Sequence, residues 1–421
     1  MSALKVFPWF VAALLLPAFA FHLGAQAPAR HLESVLDTTV NYGAFHFFQL
    51  RFHRGSNATS SKNETVADIF QSSAYNGLDF RLGWQTTGEK AWQRLLRYPT
   101  YGVGIASYLY SVEDVSNLIG EPSGIYGFIG IPLYRGPGFK FHSDLDLSAG
   151  LTYDLNPYDE ITNPYNDAVG SRILFYFDFD LSFTHWLSKR LDLTYGLSLI
   201  HFSNGRSRTP NLGVNMVGLH LGMRYHFNAL QPFTRKVLPD RPLAWRPTFI
   251  RDPVPKFKGY WISKLWTSVG TAASNPAPED EQGNPQSLAG PNYFTSSTGV
   301  ELQRRYGGLG SVGLGISYMF DASLADNYET GEPSVWQRSL VSIGPLHEFF
   351  FNRLAIFTQF GVYLHVTEEA KTSRGGWHLR AGGRIYLGEQ SFIHAALKTR
   401  NGGIADWVEF GFGMGWPFGR R

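Results

Sequence analysis

The sequence of 421 residues contains no cysteine, few charged residues and no long apolar segment beyond its N-terminus. The absence of cysteine excludes disulfide bonds, thiolate metal sites and a cysteine nucleophile. Charged residues make up 17% of the chain, below the roughly 25% of ordinary soluble domains. No later segment approaches the roughly 18 uninterrupted apolar residues of a membrane-spanning helix. The net charge of +3 gives no indication of a nucleic-acid partner.

The N-terminus has the features of a secretory signal peptide. Lys5 precedes an apolar stretch over residues 6–21, and small-residue cleavage motifs follow at residues 18–20 and 25–27. We therefore predict a signal peptide over residues 1–27, with the cleavage site left open and a membrane anchor as the alternative. The chain is expected to be exported, although aromatic residues account for 15% of it.

Apolar and polar residues alternate with a period of two along much of the chain. In residues 173–184 one parity is almost entirely phenylalanine and leucine, whereas the other parity carries Asp178 and Asp180. A strand with bare aromatic side chains on one face and acids on the other is typical of a wall between lipid and a polar lumen. About sixteen such segments can be counted, about eight of them before residue 229.

The connections between these segments alternate in length. Polar stretches such as 54–75 and 156–171 are long, whereas links such as 188–190 are short. Long outer loops and short periplasmic turns are typical of outer-membrane barrels. We predict an all-β, transmembrane antiparallel β-barrel fold of about 16 strands, integral to a bacterial outer membrane. The strands could form one large barrel or two eight-stranded halves, and the sequence leaves both arrangements open. A secreted β-sandwich is the soluble alternative.

A proline-rich segment interrupts the alternation at residues 229–256, which we interpret as a connector. It separates a first half, residues 28–228, from a second half, residues 257–421. Residues 201–205 weakly resemble residues 398–402, with Lys398 and Arg400 where the first half has histidine and serine. A degenerate repeat and chance similarity between alternating strands both account for this likeness.

Three polar residues share the lipid-facing parity of two neighbouring segments. His201 and Ser203 continue the outward row of residues 191–199, and Asn215 belongs to the outward row of the next segment. Polar groups that face lipid are costly and indicate function. Residues two apart on a strand share a face, so Ser203 is expected to be a nucleophile, His201 its base and Asn215 the group that orients the base.

Further residues of the same loop are candidates for substrate binding. We expect the N–H groups of Asn204 and Gly205 to stabilise an oxyanion, with Asn211 as a further candidate. No metal site is predicted, and the acids of the predicted lumen are expected to pair with Arg172, Arg224 and Lys140. The alternative is a histidine and a serine at the barrel rim that only bind lipid head groups.

The segment His201-Phe202-Ser203-Asn204-Gly205, followed by Pro210-Asn211 and Gly213, resembles the PagL family of outer-membrane lipid A 3-O-deacylases, which are acyloxyacyl hydrolase-like proteins. Residues 163–166 and 170–171 resemble the longer members of that group. The resemblance covers about residues 40–228 and implies an eight-stranded barrel with Ser203 as nucleophile and His201 as base. The family's acidic residue falls on Asn215, which is a departure.

The same motif together with Asn215 is also similar to outer-membrane phospholipase A, which uses Ser, His and Asn with calcium at a dimer interface. Lipid A deacylation implies lipopolysaccharide and membrane lipids as partners, with no cofactor. An oligomer, such as a homodimer, is a further expectation, and calcium belongs to the phospholipase alternative. A third interpretation is a porin-like or structural barrel without catalysis.

Overall fold

The computed structural model describes residues 45–136, 140–227, 249–254, 256–274, 287–328 and 331–419. Sixteen strands lie in these ranges and form two closed antiparallel barrels of eight strands each. The predicted all-β barrel fold is confirmed, and the two-barrel arrangement is the alternative that is observed. The predicted signal peptide and most of the predicted connector lie outside the described residues. Within those ranges no helix is both long and apolar enough to cross a membrane.

In the first barrel each strand pairs with the next along the chain, and β8 pairs with β1 to close the sheet. Its strands are β1 (Phe45–Asn57), β2 (Ala74–Gln85), β3 (Thr100–Tyr110), β4 (Gly120–Arg135), β5 (Phe141–Leu155), β6 (Leu174–Trp186), β7 (Leu191–Ser203) and β8 (Val214–Phe227). Three short helices lie in its connections, namely α1 (Glu64–Ser72), α2 (Ala91–Leu95) and α3 (Glu113–Ile119).

The second barrel has the same meander order, and its last strand pairs with its first. Its strands are β9 (Tyr260–Ala273), β10 (Asn292–Arg305), β11 (Gly310–Asp321), β12 (Ser339–Phe351), β13 (Leu354–His365), β14 (Trp377–Tyr386), β15 (Ser391–Arg400) and β16 (Ile404–Phe418). A 3₁₀ helix (Ala322–Asn327) and the helix α4 (Glu368–Arg374) lie in its longer connections.

The alternation in sequence becomes an apolar outer wall and a polar lumen. In β1, Phe48, Leu50 and Phe52 are exposed, whereas the intervening Arg51 and His53 are fully buried. Successive side chains of a strand point to opposite faces, and an eight-stranded barrel leaves an interior just wide enough to be filled by side chains. Rows of exposed phenylalanine and leucine are what a lipid-facing wall requires.

Arginine–aspartate ion pairs fill the lumen of the first barrel. Arg51 Nε donates to Asp79 at 2.8 Å, and Arg51 also pairs with Asp180. Arg81 donates to Asp146 at 2.8 Å and to Asp180 at 3.1 Å. All of these side chains are buried, so each charge depends on its partners for solvation.

The predicted partners of the luminal acids were wrong for Arg172 and Lys140, whereas Arg224 does lie in the lumen. Arg172 and Lys140 are exposed and lie outside the strands, and Arg224 donates to the side-chain oxygen of Gln49 at 3.2 Å. The actual partners, Arg51 and Arg81, occupy the luminal parity of β1 and β2. The acids of β5 and β6 therefore pair with arginines across the lumen, a relation that local sequence does not reveal.

The lumen of the second barrel is filled by its own ion pairs. Arg384 bridges Glu301 and Glu348 at 2.9 and 3.0 Å, and Lys398 pairs with Asp406. Lys398 is 1% exposed in side chain and points into the lumen. The weak sequence likeness aligned Lys398 with His201. Because His201 faces outward, the two aligned side chains point to different faces of their barrels. The degenerate repeat stays a prediction.

Replacing Arg51 by glutamine tests the luminal network. Removing one member of a buried ion pair leaves uncompensated charge and typically costs about 3–5 kcal/mol, so Arg51→Gln should lower the free energy of unfolding in detergent by that order. Arg54→Gln is the matched control, because Arg54 is an exposed cation on the outer face of the same strand. Its effect should stay within about 0.5 kcal/mol. Equal urea midpoints for both variants would contradict the role of the network.

Candidate active site on the outer wall of the first barrel

The polar cluster predicted from the sequence lies where β7 ends and β8 begins. His201 and Asn215 are directly opposite each other in the register of these strands. His201, Ser203 and Asn215 are half-buried, and each occupies the outward parity of its strand. The same parity carries exposed leucines deeper along the strands, such as Leu197 and Leu219. The cluster therefore continues the lipid-facing wall toward the loop of residues 204–213.

A hydrogen bond orients the imidazole. Nδ1 of His201 lies 2.7 Å from Oδ1 of Asn215. An amide oxygen only accepts hydrogen bonds, so Nδ1 carries the proton and Nε2 carries the lone pair. Ser203 is two residues further along β7 and shares the outward face with His201. The tautomer is thus the one in which His201 accepts a proton through Nε2.

A chain of amide contacts surrounds Ser203. Nδ2 of Asn211 donates to Oγ of Ser203 at 2.9 Å, and Oδ1 of Asn211 accepts from the backbone N–H of Asn204 at 3.1 Å. Nδ2 of Asn204 in turn donates to Oγ of Ser171 at 3.3 Å. Of the residues predicted to meet an oxyanion, Asn211 points an N–H at the serine oxygen. The N–H of Asn204 is directed at Asn211, and Gly205 follows with a φ of +62°.

Gly213 returns the loop to β8 immediately beneath the histidine. Its φ of +77° is a conformation that favours glycine. A Cβ at this position would lie 3.1 Å from Cε1 of His201 and 2.9 Å from the carbonyl oxygen of Phe202. The glycine of the sequence motif therefore has a steric reason, because any side chain would press on the imidazole.

The backbone of Asn215 is held by the connection that follows β1, which the sequence did not indicate. The N–H of Asn215 donates to Oγ1 of Thr59 at 3.0 Å, and the N–H of Ala58 donates to the carbonyl of Asn215 at 2.7 Å. Thr59 is buried. The two residues are 156 positions apart in sequence, and only the closure of β1 against β8 brings them together.

A second connection, residues 156–173, supports the loop of residues 204–213. The backbone carbonyls of Asp167 and Ala168 accept from the N–H groups of Leu212 and Gly213 at 3.1 and 3.0 Å. The Asp167 carboxylate accepts from Oγ of Ser61 at 2.9 Å. Burial raises the pKa of Asp167, and hydrogen bonds from the Lys62 N–H and from Ser61 oppose that rise. The connection after β1 and residues 156–173 thus contact each other, and together they support β8 at Asn215 and the loop that carries Asn211.

The donor set around Ser203 does not fit a calcium ion. Calcium takes about 6–8 oxygen ligands, several of them carboxylates. Asn211 contacts Ser203 through its amide nitrogen, and its Oδ1 already accepts the hydrogen bond from the Asn204 N–H. Within the described ranges, no group of three or more histidine or acidic residues is arranged to hold a metal ion.

Replacing Asn215 should release the imidazole tautomer. In Asn215→Ala the acceptor for the His201 Nδ1 proton is lost, so nitrogen-15 NMR should show His201 shifting from the Nδ1–H form toward the Nε2–H form. Asn215→Asp keeps an acceptor at this position and should retain the Nδ1–H form. His185, whose Nε2 lies 3.0 Å from the Tyr195 hydroxyl on the same outer wall, is the internal reference. An unchanged His201 spectrum in Asn215→Ala would refute the assignment.

Solved structures of outer-membrane proteins match most of the chain at low sequence identity and low TM-score. The outer membrane channel COG4313 from Pseudomonas putida F1 is 8% identical, covering 90% of this chain and 97% of that one, with a TM-score of 0.19. OprB from Pseudomonas putida is 10% identical, covering 90% and 94%, with a TM-score of 0.18. Scores this low support no conclusion about function. No curated protein sequence matches the chain.

Two protein families match the two barrels. Residues 78–224 match the family described as lipid A 3-O-deacylase (PagL). Residues 262–420 match the family described as acyloxyacyl hydrolase, C-terminal domain. The second match extends the relationship beyond residue 228, where the sequence alone offered only a weak repeat. The chain therefore belongs to the PagL family of lipid A 3-O-deacylases and acyloxyacyl hydrolases.

Proposed function

We propose that this protein is a serine esterase of the outer membrane that removes an ester-linked acyl chain from lipid A, at the 3-O position. The observation that carries the proposal is the hydrogen bond between His201 and Asn215 beside Ser203, on a face that contacts lipid. Family membership supports the reaction class and the substrate, since the matching family is described as lipid A 3-O-deacylase.

The proposed reaction is acyl transfer to serine followed by hydrolysis. Nε2 of His201 takes the Ser203 proton while Oγ attacks the ester carbonyl, and Nδ2 of Asn211 donates to the resulting oxyanion. The ester C–O bond then breaks, and the sugar oxygen leaves with the proton from His201. Water, deprotonated by His201, attacks the acyl-serine. The acyl–Oγ bond then breaks, the fatty acid is released, and His201 returns the proton to Oγ of Ser203. Asn215 keeps the imidazole oriented throughout.

A groove on the same face supports an acyl substrate. It has a volume of about 350 Å³ and runs across the outer wall at β1, β8, β7 and β6. Its apolar lining lies deeper in the wall than the catalytic cluster, on Phe52, Phe183, Tyr195, Leu197, Leu219 and Leu221. Its volume falls within the roughly 300–1,000 Å³ of ligand sites. An acyl chain whose ester lies at Ser203 has this apolar surface available to it.

The lengths of the connections support an extracellular position for the site. Residues 58–73, 111–119, 156–173 and 204–213 connect the strands at the end that carries Ser203, whereas residues 187–190 make a short turn at the other end. Long loops are extracellular in outer-membrane barrels. We propose that Ser203 lies at the outer leaflet after export through the predicted signal peptide, where lipopolysaccharide is the accessible lipid.

A phospholipase A is the second candidate, and Asn215 is the observation that favours it. Serine, histidine and asparagine form the catalytic set that the sequence motif shares with outer-membrane phospholipase A. The oxygens around Ser203 do not form a calcium site within one chain, so this alternative requires ligands from a second copy. A porin-like barrel is disfavoured for the first barrel, because buried ion pairs occupy its lumen.

Single substitutions test the catalytic roles. Ser203→Ala and His201→Ala should each lower fatty acid release at least about a thousandfold. Asn215→Ala should cost less, roughly ten- to a hundredfold, because local packing partly holds the imidazole. Mass spectrometry of lipid A measures release, and heat-modifiable migration checks folding. Ser107→Ala, which alters another exposed serine of the outer wall, is the control and should act as the parent. Full activity in Ser203→Ala would refute the assignment of Ser203 as the nucleophile.

The choice between lipids is tested with a chelator. We expect release of a 3-hydroxy fatty acid from purified lipid A, unchanged in excess EDTA, because no calcium ligand set lies at Ser203. Phosphatidylethanolamine and phosphatidylglycerol in matched detergent micelles are the comparison substrates. Chelator-sensitive release of fatty acid from these phospholipids, with lipid A left intact, would reverse the ranking of the two functions.

A further inference from the structure

An exposed arginine lies next to the candidate catalytic residues without belonging to them. Arg172 immediately follows Ser171, whose hydroxyl accepts the hydrogen bond from Nδ2 of Asn204 at 3.3 Å. Asn204 is the residue after the serine nucleophile of the proposed reaction. The Ser171 hydroxyl also donates to the carbonyl of Ile173 at 2.9 Å, which fixes the turn around Arg172. The chain neighbours of Arg172 and of Ser203 are therefore in direct contact.

The strand register sets the distance between the arginine and the nucleophile. Phe175 of β6 pairs with Ser203 of β7, and Arg172 lies three residues beyond Phe175 on the extracellular side. Three residues span at most about 11 Å along the chain. An extended arginine side chain covers more than half of that distance, about 6 Å. The guanidinium can thus reach a group bound a few ångströms from Ser203.

The charge of Arg172 is not neutralised within the described part of the chain. No ion pair or hydrogen bond of its side chain occurs there, whereas other arginines of this barrel, such as Arg51, Arg81 and Arg224, form such contacts. The next residue, Ile173, is 62% exposed and precedes β6 on the parity of that strand's lipid-facing row. Arg172 therefore lies where the apolar wall gives way to the head-group layer, a position in which arginine binds lipid anions.

We propose that Arg172 is a specificity-determining residue that binds the phosphate carried by the same sugar ring as the scissile ester. The substrate class is then a phosphorylated glycolipid rather than any long-chain ester. This inference rests on the proposed function, and it adds the feature by which the site would distinguish lipid A from other esters. Arg172 takes no part in proton transfer.

The chemistry of the two partners matches. A phosphate monoester offers oxygens that the planar guanidinium binds through two parallel N–H groups, a geometry that lysine lacks. In lipid A the 3-O-ester and the 1-phosphate are two carbons apart on one glucosamine. With the ester carbonyl at Ser203, the phosphate falls within the range of the Arg172 side chain. Binding there would position the ester and would affect KM more than kcat.

The test compares two forms of one lipid. Hexa-acylated lipid A with both phosphates and the same lipid A after mild-acid removal of the 1-phosphate are offered in identical detergent micelles. The parent protein should prefer the first form by roughly three- to tenfold in kcat/KM, through KM. In Arg172→Gln the preference should vanish while the rate on the 1-dephosphorylated form stays that of the parent. Arg172→Lys should be intermediate.

Lys189→Gln is the control, because it removes a positive charge from the turn at the other end of the same strand pair. It should keep the preference of the parent. A preserved preference in Arg172→Gln, or an equal loss on both lipids, would overturn the proposal, the latter because it indicates a structural role for the turn.

A binding measurement separates this proposal from the proposed function. In the Ser203→Ala background, where no hydrolysis occurs, affinity for the two lipid A forms is measured with and without Arg172→Gln. A phosphate-dependent affinity that requires Arg172 supports the proposal even if lipid A is not hydrolysed by the parent. Affinity that ignores the phosphate refutes it even if hydrolysis of lipid A is observed.

Discussion

The pairing of β8 with β1 is the constraint on which the rest of the first barrel depends. It satisfies the last free strand edges, which lipid would otherwise leave without hydrogen bonds. It also brings Arg51 of β1 across from Asp180, so the luminal charges are paired only once the sheet is closed. At the extracellular end the same pairing sets Thr59 against the backbone of Asn215. Closing the sheet therefore also pairs the luminal charges and holds the backbone of the candidate site.

The sequence predicted the lipid-facing wall, because apolar and polar residues alternate with a period of two along each strand. Alternation placed the phenylalanine and leucine parity of residues 173–184 outward, and it placed His201, Ser203 and Asn215 on the lipid-facing parity, where the structure has them. The mutual geometry of these three residues follows from two neighbouring strands joined by one loop. Such short-range relations are accessible to sequence analysis, because strand spacing and the period of two fix them.

Contacts across the barrel could not be predicted from the sequence. The luminal partners Arg51 and Arg81 and the supporting Thr59 lie far from their partners in sequence, and their proximity is set by closure. Lys398 differs, since the outward parity of Ile393 and Leu397 already places it in the lumen. For Lys398 the period of two predicts the direction of the side chain correctly, whereas the sequence likeness to His201 does not.

An asparagine at position 215 suits a site that faces lipid. A carboxylate there would stabilise the imidazolium that forms during acyl transfer. It would also carry a net charge on a half-buried outer wall, where charged groups are costly. The amide of Asn215 fixes the same tautomer of His201 without that charge, and Asn211 likewise meets Ser203 with a neutral donor. The cluster therefore holds its geometry through neutral hydrogen bonds, and in our proposal Arg172, beyond the wall, supplies the positive charge that binds the phosphate of the substrate.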